Sequence, residues 1–331
     1  MLCKVSVVVP VLNREHLIER CLESVINQTQ KPYELIVVDN GSDDNTKEKV
    51  RDWMRLHSNS GVRLKLIEER KRGACEARQR GLEETTGDYI SFFDSDDEMD
   101  PRLIEKVLEE INSNTQVDII CWRCEIKLLN GKSRLSPFDL ANPLSNHLLH
   151  TLLRTDGYIV RKSFLERAGG WSKSLKVWND LELGLRLLMN RPTLKGLDEV
   201  LVKIHSQRGS ITGLGFLPKK GDWEMTLAEM KKEVLNSDYN FKEDVFKILN
   251  YRKAILAANY YKEGDKKSSE HLMATTIEEA SGWKEKLILK FSFLYTRYGL
   301  RGAWRFLPIV DRSISTALSG SPSHFSRHLT K

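Results

Sequence analysis

This sequence of 331 residues has no long apolar run and no ordered set of cysteine pairs. Because a membrane-spanning helix needs about 18 or more consecutive apolar residues, none is predicted. The start of the chain also lacks a secretory cleavage pattern, since Pro10 interrupts its short apolar run. The five cysteines are odd in number and scattered, which argues against a disulfide framework and for a reducing compartment. We therefore expect a cytoplasmic protein, with contact to a membrane surface left open.

The sequence also lacks a strong charge of one sign and any internal repeat. Its net charge of +6 is a mild excess for a chain of this length, and we predict no nucleic-acid partner. Hydrophobic content of 40% and charged content of 30% are typical of a soluble globular protein. One CxxC pair, Cys121 and Cys124, lies in an apolar run with the character of a strand. Residues three apart in a strand face opposite ways, so we interpret this pair as core or edge thiols.

The first half of the chain contains an alternation of strand-like and helix-like segments. Apolar, β-branched segments occur at residues 5–12, 34–40, 62–69 and 88–94. Each is followed by a segment with helical spacing, and Asn13 is the predicted N-cap of the first helix. This order predicts an α/β fold with a mainly parallel central sheet flanked by helices. From about residue 222 onward the pattern is helical, so we predict two domains, at residues 1–220 and 221–331.

Acidic residues follow two of these predicted strands. Asp94, Asp96 and Asp97 come directly after the fourth strand, and Asp39 ends the second. The carboxyl ends of parallel strands share one edge of a sheet, where α/β proteins bind their ligands. Closely spaced carboxylates supply the hard oxygen ligands that Mg²⁺ and Mn²⁺ prefer. The alternatives are a solvated acidic turn for the first group and an Asx turn for Asp39.

Four segments of the chain together form a pattern that is far more specific than a single acidic motif. They are VSVVVPVLNREHLIERCLESVINQT, ELIVVDNGSDDNT, RGACEARQRGLEETTGDYISFFDSDDEMDP and GGWSKSLKVWNDLELGLR. In this order they resemble the inverting family 2 glycosyltransferases of the bacterial surface-polysaccharide type, over residues 3–213. The resemblance implies the GT-A nucleotide-diphospho-sugar transferase fold, followed here by a C-terminal helical extension.

The resemblance implies a nucleotide-sugar donor and a divalent cation. The residues implied to contact the donor are Pro10, Val11, Asn13, Arg14, Asp39, Arg78, Asp94 and Asp97. Asp94 and Asp96 are implied to hold Mn²⁺ or Mg²⁺, which would reverse the charge of the acidic loop toward a diphosphate. His205 is implied as a further metal ligand or diphosphate contact, and Arg208 as a phosphate contact. Gln79 departs from the family pattern, which has Asn at this position.

The segment VWNDLELGLR matches the family element that carries the catalytic base. The resemblance places that base at Asp180, with Glu182 in reserve and Asn179 replacing the usual Glu. Inversion requires one base to deprotonate an acceptor hydroxyl as it attacks the anomeric carbon. The alternative is that Asp180 caps the following helix and pairs with Arg186 across one or two turns.

The expected function is therefore metal-dependent, inverting transfer of a sugar from a nucleotide-diphosphate sugar, in the first place a UDP-sugar. The expected acceptor is a hydroxyl of a glycan or of a lipid-linked intermediate in surface polysaccharide synthesis. A nucleotidyltransferase is an alternative, although VPVLNRE lacks the glycine-rich loop usual after its first strand. A phosphohydrolase with an aspartyl nucleophile would carry its acidic motif after the first strand instead of the fourth. A catalytically inactive glycan- or membrane-binding scaffold also stays open.

The C-terminal end of the chain is basic and rich in aromatic residues. Residues 281–331 contain nine lysines and arginines against two acidic residues, a local charge of +7. Tryptophan, phenylalanine, tyrosine and leucine residues are interleaved with these charges. Such a segment suits the surface of an anionic membrane. The alternative is a helical subdomain that packs its apolar face on the core.

Overall fold

The structure is a computed structural model, and it describes residues 3–207, 215–300 and 302–303. The described residues form two compact units. The first contains residues 3–138 and 152–207, and the second contains residues 139–151 with the described residues from 215 onward. Compactness alone does not make either unit an independent domain, so the boundary near residue 220 stays a prediction.

The first unit alternates strands and helices over most of its length. Its strands are β1 (Val5–Val11), β2 (Glu34–Asp39), β3 (Arg63–Glu68), β4 (Tyr89–Phe92), β5 (Glu98–Met99), β6 (Ile119–Lys127), β7 (Ser133–Leu135), β8 (Tyr158–Arg161) and β9 (Leu194–His205). Its helices are α1 (Ile18–Ile26), α2 (Thr46–Leu56), α3 (Ala74–Glu84), α4 (Leu103–Ser113), α6 (Lys162–Arg167) and α7 (Asn179–Met189), whereas α5 (Pro143–His150) belongs to the second unit. A short 3₁₀ turn, Thr155–Gly157, precedes β8.

The nine strands found among the described residues form one sheet in the order β3-β2-β1-β4-β8-β6-β9-β5, with β7 paired to β6. β3, β2, β1 and β4 are parallel to one another, as the strand–helix alternation predicts. β8 then runs antiparallel to both β4 and β6. β9 is parallel to β6, and β5 is antiparallel to β9. The predicted α/β fold is confirmed, and its continuous run of parallel strands is the half of the sheet that β1 to β4 form.

The strands that lie between β3 and β8 are buried on both faces. Every residue of β2 and β4 is buried, and so are six of the seven residues of β1. Valine and isoleucine predominate there because branched side chains pack well on a pleated surface that is covered on both sides. The two cysteines of the CxxC pair lie in β6 as buried free thiols, and burial raises the pKa of Cys124 to about 12. These thiols therefore belong to the core, one of the two positions that the sequence left open.

The N-cap predicted at Asn13 is wrong, because α1 begins only at Ile18. Asn13 has a left-handed φ of 53°, a conformation that asparagine tolerates better than most residues. Its side-chain oxygen accepts a hydrogen bond from the Asp43 N–H at 2.8 Å, and its own N–H donates to Ser42 Oγ at 3.0 Å. Asn13 therefore joins the loop after β1 to the loop after β2 instead of starting a helix.

The second unit is helical. It contains α5 together with α8 (Lys220–Asn236), α9 (Lys242–Lys262), α10 (Lys266–Glu279) and α11 (Trp283–Arg297). α9 packs against all four of the others, and its Tyr251 and Ala254 form a small core with Ile288 and Leu289 of α11. Within the described part of the chain, no helix has the length and apolar character needed to cross a membrane. Most of the basic C-terminal segment, residues 301 and 304–331, lies outside the described residues.

The close packing of α3 on β1 gives a test of this fold. A methyl group at Gly81 would lie 2.3 Å from Val8 Cγ1 and 3.3 Å from Val38 Cγ2, both on fully buried side chains. Gly81→Ala should therefore lower the free energy of unfolding by about 1–3 kcal/mol despite the better helix propensity of alanine. Gly221→Ala in α8 is the control, because nothing lies within 4 Å of its added methyl group. Denaturant unfolding of both variants measures the difference, and equal stabilities would contradict the packing described for α3.

Candidate active site

Three carboxylates meet where β4 ends. Asp94 and Asp97 follow β4, and Asp156 lies in the 3₁₀ turn before β8. An oxygen of each carboxylate lies within 4.8 Å of the other two. Asp156 Oδ1 also accepts a hydrogen bond from the Asp94 N–H at 2.6 Å. Because β8 runs antiparallel to β4, the start of β8 lies beside the end of β4, and this brings Asp156 to the cluster.

The environment of this cluster disfavours three negative charges. Asp97 and Asp156 are 3% and 4% exposed, whereas Asp94 is half-buried. Burial, with the charge of Asp94, raises the pKa of Asp97 to about 8. Burial and the charges of Asp94 and Asp97 also raise the pKa of Asp156 well above its ordinary range. Positive charge is needed here, and clustered hard oxygen donors fit Mg²⁺ or Mn²⁺ better than a soft metal.

Arg78 of α3 supplies part of that positive charge. Its Nη2 donates to Asp94 Oδ1 at 2.7 Å, and its Nη1 donates to Asn179 Oδ1 at 3.4 Å. The guanidinium lies over the Trp171 ring, 4.8 Å from its centroid, and the side chain is only 7% exposed. Arg78 therefore links the end of β4 to the first residue of α7. Asn179, which departs from the family pattern, is the acceptor at the α7 end of this link.

Gln79, the other departure from the family pattern, joins α3 to the loop before α7. Its Oε1 accepts a hydrogen bond from the Trp171 N–H at 3.0 Å. A methyl group at Gly170 would lie 2.4 Å from the same oxygen, and Gly170 has a left-handed φ of 64°. The left-handed backbone conformation therefore favours glycine at this position, and a larger residue would also displace the Gln79 side chain.

Asp180 lies in the first turn of α7, which follows Trp178 in a left-handed conformation. Its Oδ1 accepts a hydrogen bond from the Leu181 N–H at 2.8 Å. Burial raises the pKa of Asp180, and the nearby Arg78 opposes that rise. The predicted alternative partner, Arg186, instead forms an ion pair with Glu182, with Nη2 and Oε2 3.0 Å apart. This pair ties up the carboxylate of Glu182 and leaves Asp180 as the acidic group at the start of α7.

The loops after β1 and β2 lie at the same edge of the sheet as Asp94. Pro10 and Val11 end β1, and the register pairs Val11 with Asp39 at the end of β2. The Asp39 carboxylate is buried and accepts hydrogen bonds from the N–H groups of Gly41 and Ser42, each at 3.3 Å. It thus forms the Asx-type turn that the sequence left open as an alternative.

Asp96 and His205 lie around the cluster of three carboxylates instead of within it. Asp96 Oδ2 is 3.7 Å from Arg14 Nε, and burial together with the charge of Asp94 raises the pKa of Asp96. His205 ends β9, where its backbone N–H donates to Asp97 Oδ1 at 2.8 Å. Its Nε2 lies 2.8 Å from Glu98 Oε1. Arg208, the predicted phosphate contact, lies outside the described residues.

The order of the sheet and its flanking helices are those of the GT-A fold, and the carboxylates lie at the carboxyl edge of that sheet. Two solved structures share the fold. The S. aureus protein TarS, residues 1–349 in complex with UDP-GlcNAc, aligns with a TM-score of 0.68 at 19% identity over 95% of this chain and 92% of that one. The mannosyltransferase PcManGT from Pyrobaculum calidifontis, in complex with GDP-Man and Mn²⁺, aligns with a TM-score of 0.58 at 18% identity over 98% and 89%.

Residues 6–162, nearly half of this chain, match the model of the family described as Glycosyl transferase family 2. The glycosyltransferase AglE of Haloferax volcanii is 35% identical over 41% of this chain and 44% of its own length. A Campylobacter jejuni relative is named GalNAc(5)-diNAcBac-PP-undecaprenol beta-1,3-glucosyltransferase, and it is 31% identical over 33% of this chain and 35% of its own length. The chain thus spans less than half the length of these two relatives.

The raised pKa values predict how pH affects stability when no metal is present. The folded chain keeps a proton on Asp97 up to about pH 8, whereas an unfolded Asp loses it near its ordinary pKa of 3.8. The folded state therefore binds more protons between these values, and the free energy of unfolding should fall as the pH rises from about 5 to 8. Asp97→Asn should make this dependence shallower. Melting curves in EDTA across this range measure the effect, and a stability that rises toward pH 8 would contradict it.

Proposed function

We propose that this chain is a metal-dependent inverting glycosyltransferase that uses a nucleotide-diphosphate sugar, with a UDP-sugar as the first candidate. One observation carries the proposal: Arg78 links the carboxylate cluster at the end of β4 to the start of α7, where Asp180 lies. One side chain thus connects the candidate cation site to the start of the helix that carries the candidate base. The TarS complex with UDP-GlcNAc, which shares the fold, supports the choice of donor.

In this proposal the donor lies across the carboxyl ends of β1, β2 and β4. Pro10, Val11 and Asp39 contact the nucleobase and ribose, whereas Asn13, Arg14 and Arg78 face the phosphates. Mn²⁺ or Mg²⁺ would be held by Asp94 and Asp96 of the acidic loop, with His205 as a further metal ligand or diphosphate contact and Asp97 as a donor contact. Asp156 joins this set because it shares the cluster with Asp94 and Asp97. The bound cation would neutralise the diphosphate that leaves.

Asp180 is the proposed general base. Its carboxylate would accept the proton of the acceptor hydroxyl as that oxygen attacks the anomeric carbon from the face opposite the diphosphate, which inverts the configuration. A pKa raised by burial makes a carboxylate a stronger base than one in water. The proposed acceptor is a glycan or a lipid-linked intermediate of surface polysaccharide synthesis, and the name of the Campylobacter relative supports the lipid-linked form. Such an acceptor places the enzyme in the cytoplasm, at the inner face of the cell membrane.

The metal requirement can be tested without knowing the acceptor. UDP should bind the full chain with Mn²⁺ and lose most of its affinity in EDTA, because the acidic loop then repels the diphosphate. Asp94→Asn should lose the Mn²⁺-dependent part of the affinity. Asp52→Asn, on the exposed surface of α2, should bind as the wild type does. Titration calorimetry measures all four cases, and UDP binding that is equal with Mn²⁺ and with EDTA would rule out a metal-dependent donor site.

The base can be tested by separating turnover from binding. Asp180→Asn should lower donor turnover by about two to four decades, the usual worth of general base catalysis, with UDP affinity and melting temperature unchanged. Glu182→Gln is the matched variant, because it removes one charge two residues away and weakens the buried pair with Arg186. It should lower the melting temperature more than the turnover per folded molecule. If Glu182→Gln abolishes turnover and Asp180→Asn does not, Glu182 is the base. If no nucleotide sugar is turned over at all, the chain is an inactive scaffold.

A further inference from the structure

α11 exposes large apolar side chains along one face. Trp283, Leu287, Leu294 and Tyr298 are 72%, 56%, 45% and 74% exposed. At about 100° per residue these four positions fall within an arc of about 60°, so they form a continuous stripe, called here the α11 stripe. Phe291, which is 43% exposed and contacts the Tyr295 ring, continues the same arc. An exposed set of this size on one helix calls for a partner.

The opposite face of α11 fixes the helix to its own unit. Ile288 and Leu289 are 5% and 1% exposed and pack with Tyr251 and Ala254 of α9. The buried Glu285 accepts hydrogen bonds from Asn250 Nδ2 at 2.9 Å and from the Ser281 N–H at 2.8 Å. These contacts set the rotation of the helix about its axis. The α11 stripe therefore lies on the face of the helix opposite to the packed one. Its exposure results from the packed contacts of α11 and not from a loosened helix end.

The charges on α11 indicate the chemistry of the partner. Glu285 is the one acidic residue of this helix, and it is buried, so the exposed part of α11 carries no carboxylate of its own. Lys284 lies on one side of the stripe, and Lys286 and Lys290 lie on the other, by the same helical spacing. An apolar stripe with cations along both edges is complementary to an anionic lipid surface. Two copies of the stripe would instead bring like charges together.

We infer that the α11 stripe docks on an anionic membrane surface. The apolar side chains enter the boundary between headgroups and acyl chains, and the lysines extend their stems along the helix to reach the anionic headgroups. Trp283 and Tyr298 lie at the two ends of the stripe, and residues of these types favour this boundary because each has an apolar ring and a polar group. The inference thus assigns a membrane surface as the partner of the second unit. It rests on the proposed function in one respect, since a lipid-linked acceptor gives a reason for such docking.

Sedimentation of the full chain with vesicles tests the inference. The chain should bind vesicles of phosphatidylcholine with phosphatidylglycerol and should bind vesicles of phosphatidylcholine alone more weakly. Trp283→Ser, Leu287→Ser and Leu294→Ser, combined, should weaken binding by about a hundredfold or more. The matched control is Leu56→Ser, Leu129→Ser and Leu235→Ser, three exposed leucines elsewhere, which should leave binding unchanged. Lys286→Gln and Lys290→Gln should each weaken binding about fivefold and should reduce its dependence on salt.

Two further measurements keep the test decisive. Melting curves and UDP binding should be the same for the stripe variant and the wild type, because the altered side chains are exposed and the donor site is elsewhere in the chain. Stripe substitutions that leave vesicle binding unchanged would overturn the inference. A dimer that the stripe variant loses would show that a second copy covers the stripe, and vesicle binding that appears only after removal of residues 304–331 would show that the C-terminal segment covers it. Failure of donor turnover with intact vesicle binding would count against the proposed function alone.

Discussion

Like charges forced together at the end of a buried strand are the constraint on which this site depends. Asp97 and Asp156 are nearly inaccessible to water, and Asp94 lies within reach of both. Removing a carboxylate from water is costly unless an opposite charge or a proton compensates it. Arg78 meets part of this cost at Asp94, and the raised pKa values of the other two show that the compensation is incomplete. The cluster therefore remains receptive to a further positive charge.

Much of the fold could be predicted from local patterns. The strand–helix alternation predicts β1 to β4 and the helices between them, because each buried parallel strand is a short apolar run with a turn after it. The second half of the sheet was not predictable in the same way. β8 and β9 pair with strands far away in the sequence, and nothing local states that β8 runs antiparallel to β4. The start of α1 was also missed, since Asn13 bonds to a loop 30 residues away instead of capping the helix.

The candidate site shows the same division. Asp39 and Asp94 could be recognised because each ends a strand, and the resemblance then assigned Asp96, Asp97 and Asp180. Asp156 was missed because a carboxylate before a strand gains its place only from the antiparallel pairing of β8 with β4. The pairing of Glu182 with Arg186 at a spacing of four was accessible to sequence reasoning, which considered Asp180 alone as an alternative partner of Arg186. Site residues that directly follow a predicted strand could be predicted from the sequence. A site residue whose place depends on which strands pair in the sheet could not.

The bridge made by Arg78 has a thermodynamic consequence. A cation that takes over the charge of Asp94 removes the ion-pair partner of Arg78 and leaves the guanidinium with Asn179 and Trp171. The free energy of cation binding to the acidic loop is then coupled to the position of the N-terminus of α7. Such coupling is reciprocal. A ligand that stabilises the position that α7 takes with the cation bound must therefore raise the affinity for the cation by the same factor by which the cation raises the affinity for that ligand. An acceptor that favours this position of α7 would in this way strengthen the binding of a donor that it never touches.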